Sequence, residues 1–71
     1  MNDSELLKII GLRIKKAREE LGISQTLLAN SMGKDQQWLQ RIEKGNTNIT
    51  IKSLNLISSS LKVEISKFLE A

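Results

Sequence analysis

The 71-residue sequence contains no cysteine, no histidine and no proline. Without cysteine there is neither a disulfide framework nor a thiolate metal site, and without histidine the commonest zinc ligand and general base are missing. No metal or cofactor is expected. Long apolar runs are absent too, and Met1-Asn2-Asp3-Ser4-Glu5 is acidic and polar where a secretory signal would be basic and then apolar. These absences predict a soluble cytoplasmic protein with no membrane partner. A chain of this length builds one compact core, so residues 1–71 are read as a single domain, too short to frame a cleft between lobes. Function then lies on the surface, and an enzyme is not expected, because the remaining Ser, Asp, Glu and Lys would need a pocket that a few short helices scarcely offer. Eleven Lys and Arg against eight Asp and Glu give a net charge of +3, a mild bias that suits a polyanionic partner.

What is present is helical periodicity. Leu6, Ile10, Ile14, Ala17 and Leu21 follow steps of four, four, three and four, which line one face of an amphipathic helix over about 4–21, with Gly22 just past its end. Ser24 is placed as the N-cap of a second helix, Gln25 to Met32, that turns Leu28, Ala29 and Met32 to one side; Gly33 stops it. Asp35 is the N-cap of a third helix, with Leu39 and Ile42 inward, closed by Gly45. Residues 46–49 read as a loop. Thr50 caps a fourth helix whose stripe is Ile51, Leu54, Ile57 and Leu61, widened by Leu56. A short fifth helix is predicted over about 64–69. There is no internal repeat or low-complexity tract, and the β-branched cluster at 48–51 is too short for a sheet. The fold class is all-α.

The most informative block is 24–45: two short helices joined by a tight glycine-containing turn, with small Ala29 and Gly33 suited to a steep crossing. Ser24-Gln25, Leu28-Ala29, Gly33 and Ile42-Glu43-Lys44-Gly45 resemble, at fixed spacing, the helix-turn-helix proteins of the lambda repressor and Cro superfamily, and the resemblance runs from about Ile9 to Phe68. Within it, the chain length, Asp35, the aromatic at 38 and Thr50-Ile51-Lys52-Ser53-Leu54 look most like the controller proteins of restriction-modification systems. The resemblance implies a compact five-helix domain that binds double-stranded DNA and regulates transcription, with contact to RNA polymerase among its expected partnerships.

On that resemblance the third helix enters the major groove, where each base pair shows a distinct set of donors and acceptors. Gln36, Gln37, Gln40 and Arg41 supply matching chemistry: an amide can pair with adenine through donor and acceptor together, and a guanidinium can bridge two acceptors of guanine. Gln36 and Gln37 rank first, since the N-terminal part of a recognition helix goes deepest. The plainer reading of these residues is a solvated helix face. The family uses a glutamine at the position of Gln25 to hold a phosphate and buttress the recognition helix. Lys44, Asn46 and Asn48 are further candidates for phosphate contacts, with Lys52 a weaker one, and for any single lysine plain solubility is the competing explanation. Trp38 is expected to pack partly on the core rather than lie against DNA. Arg18 and Glu43 fall where the superfamily carries a paired arginine and glutamate that join the first helix to the third.

One helix in one groove reads few base pairs, so a homodimer on a palindromic operator is expected, with half-sites about one helical turn apart. The apolar C-terminal region at about 61–71 is the predicted interface, with Ile65 and Phe68 as preferred contacts and closure of the monomer core as the alternative role. Two other functions compete. An antitoxin or anti-repressor would need a partner-binding arm, for which no segment is long enough; a protein-interaction domain that lost DNA contact would lack the amide-rich third helix.

Overall fold

The computed structural model describes residues 2–70. Five helices follow in order: α1 (Asp3–Glu20), α2 (Gln25–Ser31), α3 (Gln36–Lys44), α4 (Ile51–Leu61) and α5 (Ser66–Leu69), with no strand among the described residues. The first four begin at a side chain that accepts from a backbone N–H three residues on. Asn2 accepts from Glu5 at 2.8 Å, Ser24 from Leu27 at 3.0 Å, Asp35 from Trp38 at 2.8 Å and Thr50 from Ser53 at 3.0 Å. Each bond satisfies a first-turn donor that the helix itself leaves unpaired. Three of these caps were legible in the sequence; Asn2 starts α1 one residue earlier than the periodicity suggested.

The core consists of Ile10 and Ile14 from α1, Leu28 and Ala29 from α2, Leu39 and Ile42 from α3, Leu54, Ile57 and Leu61 from α4, and Phe68 from α5. The apolar stripes reach less far than their spacing implied. Leu6, Leu21, Ile51 and Leu56 all remain exposed. Three of them lie in the end turn of a helix or just past it, where the chain has outrun its neighbours, and Leu56 sits at the margin of the α4 face. Among the described residues no helix is long and apolar enough to cross a membrane.

Of the glycines in the helix-turn-helix and its flanks, the one in the α2–α3 turn does not serve a close approach. A Cβ added at Gly33 would meet nothing within 4 Å; glycine suits that turn through its φ of +71°. Ala29 is fully buried, and glycine serves a tight crossing where α1 passes over the C-terminal end of α3. A Cβ built on Gly11 would fall 2.8 Å from the Glu43 carbonyl carbon and closer still to the carbonyl oxygens of Ile42 and Glu43. One turn on, a Cβ at Gly45 would sit 2.6 Å from the Cα of Lys8. Two glycines thus let α1 lie directly on the backbone that ends α3, which fixes where α3 points.

The C-terminal segment corrects one expectation. α5 spans only Ser66–Leu69, and its Phe68 is 2 % exposed, inserted into the core, so it closes the monomer and is not a free contact for a second copy. Ile65 is half-buried at the core's edge. The segment turns back on Lys62, which adopts a left-handed conformation with φ 57° and is the only non-glycine residue described with positive φ. Arg13 then holds it from α1, its guanidinium donating to the Phe68 carbonyl at 3.1 Å and to that of Glu70.

Candidate nucleic-acid interface

The local sequence of α2 and α3 positions the candidate side chains. Leu28 and Ala29 bury one side of α2, Leu39 and Ile42 bury one side of α3, and helical spacing then turns Gln36, Gln37, Gln40, Arg41 and Lys44 away from the core. Gln37, Arg41 and Lys44 are exposed, while Gln36 and Gln40 are half-buried at the flank. Arg41 folds back along its own helix, Nε donating to the Gln37 carbonyl at 3.3 Å. Asn46 and Asn48 lie exposed in the loop after α3, and Lys52 in the first turn of α4. The Asn46 backbone N–H closes α3 by donating to the Arg41 carbonyl at 3.0 Å.

Beneath this face runs a continuous polar chain. Arg18 and Glu43 are 7 % and 4 % exposed and meet side-on: Arg18 Nε donates to Glu43 Oε2 at 2.7 Å and Nη2 to Oε1 at 3.0 Å. Arg18 Nη1 donates to the Ile23 carbonyl at 2.8 Å, which ties the pair to the α1–α2 turn. The hydrogen bond to Glu43 holds the Arg18 guanidinium above its ordinary pKa, against the opposing pull of burial. As far as the guanidinium's own titration is concerned, its contribution to stability is fully present at neutral pH and is lost as pH rises through the raised value. Among the described residues every buried side-chain nitrogen or oxygen has a hydrogen-bond partner.

Gln25 extends the chain outward. Its Nε2 donates to Glu43 Oε1 at 2.9 Å, and its Oε1 accepts from Gln36 Nε2 at 2.7 Å. The direction of these bonds follows from chemistry. An ionised carboxylate only accepts, so Gln25 must offer it the amide N–H, which leaves the carbonyl toward Gln36 and obliges Gln36 to donate. Gln36 keeps one N–H and its carbonyl for a ligand, the donor and acceptor pair that adenine's major-groove edge matches. The link from Gln25 to Glu43, 18 residues apart, carried no mark in the sequence beyond the separate candidacy of the two residues.

Trp38 packs partly on the core, and Lys34 in the turn places its Nζ 5.4 Å from the centre of the indole, within cation–π range. A groove of about 370 Å³ opens where the outer flank of α3 meets α1 and brings Gln25 and Gln40 together with lysines of both helices. The α1 lysines were missed as candidates; the usable signal was their i, i+7 spacing around Leu12, which puts Lys8 and Lys15 on one face.

Comparison with known proteins agrees with this architecture. Residues 14–68 match the helix-turn-helix family HTH_3. The uncharacterized HTH-type transcriptional regulator y4wC of Sinorhizobium fredii is 41 % identical over 61 residues, covering 86 % of this chain and 43 % of its own length, so the chain spans less than half of that relative. The restriction-modification controller protein C.AhdI of Aeromonas hydrophila superposes with a TM-score of 0.89 over 96 % of this chain and 99 % of its own, at 24 % identity. A second controller protein, C.Esp1396I, solved as a tetramer in complex with its natural 35 base-pair operator, matches with a TM-score of 0.80 at 40 % identity over 92 % of this chain and 86 % of its own. The five-helix, lambda-repressor-like fold and the likeness to controller proteins read in the sequence are both borne out, and the chain belongs to the HTH_3 helix-turn-helix family.

Proposed function

We propose that this chain is a sequence-specific DNA-binding transcriptional regulator of the cytoplasm, with α3 as its recognition helix in the major groove. The observation that carries the reading is the hydrogen-bonded orientation of Gln36, held by Gln25 so that a donor and an acceptor remain free beside exposed Gln37 and Arg41. Such preorganisation lowers the entropic cost of ordering a base-reading side chain. Gln25 retains a second amide N–H for a phosphate, and Lys44, Asn46 and Asn48 lie where phosphate contacts would fix the register. The operator-bound structure of C.Esp1396I supports the same use of the fold.

The chain acts as a homodimer on a palindrome. Its dimensions of 31 × 22 × 20 Å suit one protomer per half-site at a separation of about 34 Å. With Phe68 committed to the core, the C-terminal interface falls to Ile65 and its half-buried neighbour Val63.

Selection from random duplex DNA tests the reading, and an enriched palindrome is expected. Gln36→Ala and Gln37→Ala should each weaken binding to the selected duplex by about 1 to 3 kcal/mol with little change in melting temperature. Failure to enrich any sequence, or full affinity in both variants, would sink it.

A further inference from the structure

The groove between α1 and the outer flank of α3 is lined by Lys8, Leu12 and Lys15 from α1, by Gln40, Glu43 and Lys44 from α3, and by Gln25 at the start of α2. Its charge is one-sided. The single carboxylate, Glu43, is buried and accepts from both Arg18 and Gln25. The ion pairs among the described residues are Arg18–Glu43 and Lys67–Glu70, so Lys8, Lys15 and Lys44 all face the groove without a carboxylate partner. Leu12, 61 % exposed, gives the wall an apolar stretch between the two α1 lysines.

From this geometry we infer that the groove is a second anion-binding surface that takes the sugar-phosphate strand of double-stranded DNA flanking the recognition helix, with Lys8 and Lys15 as phosphate ligands and Leu12 against deoxyribose. The inference rests on the DNA-binding reading above and extends it to α1. Seven helical residues advance about 10.5 Å. One DNA strand carries a phosphate about every 3.4 Å of helix axis, so the two α1 lysines engage separate phosphates and do not compete for one. Gln25 and Lys44, already candidates for phosphate contact, line the same groove, which makes the surface continuous from α2 across α1 to the end of α3. Phosphate contacts carry no sequence information, so α1 contributes affinity and register while α3 discriminates.

Salt titration of binding tests this, using the full chain with two duplexes, the selected sequence and a scrambled one, from about 50 to about 200 mM salt. Lys8→Ala and Lys15→Ala should each flatten the dependence of log affinity on log salt by about 0.9 per protomer, about 1.8 for the bound dimer, and weaken both duplexes by a similar factor. Lys8→Arg and Lys15→Arg should keep the parent slope, as should Lys67→Ala, since Lys67 is exposed and pairs with Glu70. Unchanged slopes in Lys8→Ala and Lys15→Ala overturn the inference, and so does a loss confined to the selected duplex, because the lysines would then act through α3. A parent chain that binds neither duplex overturns the DNA-binding reading itself, an outcome distinct from both.

Discussion

The two ends of the domain are secured by different physics. At the crossing of α1 with α3, backbone lies against backbone at Gly11 and Gly45, and buried charge is matched by charge at Arg18 and Glu43. At the C-terminal end, one aromatic ring fills the core, one arginine caps two carbonyls, and a lysine sits in a conformation that glycine would adopt more easily. The first arrangement sets the direction of α3 and the polarity of Gln36. The second only has to close the core. On the proposed function, the polar and close-fitting end is the one that bears on recognition, and the apolar end can be looser in geometry without disturbing it.

The largest effect should come from breaking the first end. Arg18→Ala leaves the Glu43 carboxylate buried without its partner and should cost about 3 to 5 kcal/mol, seen as a fall in melting temperature of more than about 12 °C. An unchanged melt would remove the buried pair from the account. The double variant Arg18→Met with Glu43→Leu should recover most of that stability, yet it removes the acceptor that orients Gln25, so base preference at the position read by Gln36 should relax even in a well-folded protein. Phe68→Ala, at the second end, should cost about 3 kcal/mol, near the low side of the usual range because the terminal segment it anchors can collapse into the gap. Denaturant midpoints measure this; a variant that kept its midpoint but dissociated from a dimer would return Phe68 to the interface. The smallest change should be a gain. Lys62→Gly relieves the left-handed strain at some cost in chain entropy, for a net stabilisation of roughly 0.5 kcal/mol, and a lower midpoint would show that the lysine side chain contributes more than its backbone loses.

The same contrast explains what the sequence revealed. Ser24, Asp35 and Thr50 cap the helices they were expected to cap, because capping is a local matter of one side chain and one turn. Local periodicity likewise found the inward faces of α2 and α3. It could not give depth, which depends on where a neighbouring helix stops, and so Leu6, Leu21 and Ile51 were placed inside when they lie outside. Gly11 carries no local signal at all, since its small size answers to carbonyls 31 and 32 residues away in the chain. Phe68 illustrates a different limit: an apolar residue near a terminus suits a monomer core or a dimer seam equally, and the turn at Lys62 that decides between them uses a residue type with no special claim to it. For the candidate recognition surface, resemblance picked out Gln25, Gln36 and the Arg18–Glu43 pair separately, and only their spacing in three dimensions joined them into one oriented chain.

The indole of Trp38, half-buried at the third position of α3 with the Lys34 ammonium over it, has one more consequence. It is the sole tryptophan of the chain, so all indole emission originates on α3. On the proposed function, a strand of DNA drawn along that helix would compete for Lys34 and change the polarity around the ring, which would make the indole an unlabelled optical gauge of engagement at α3.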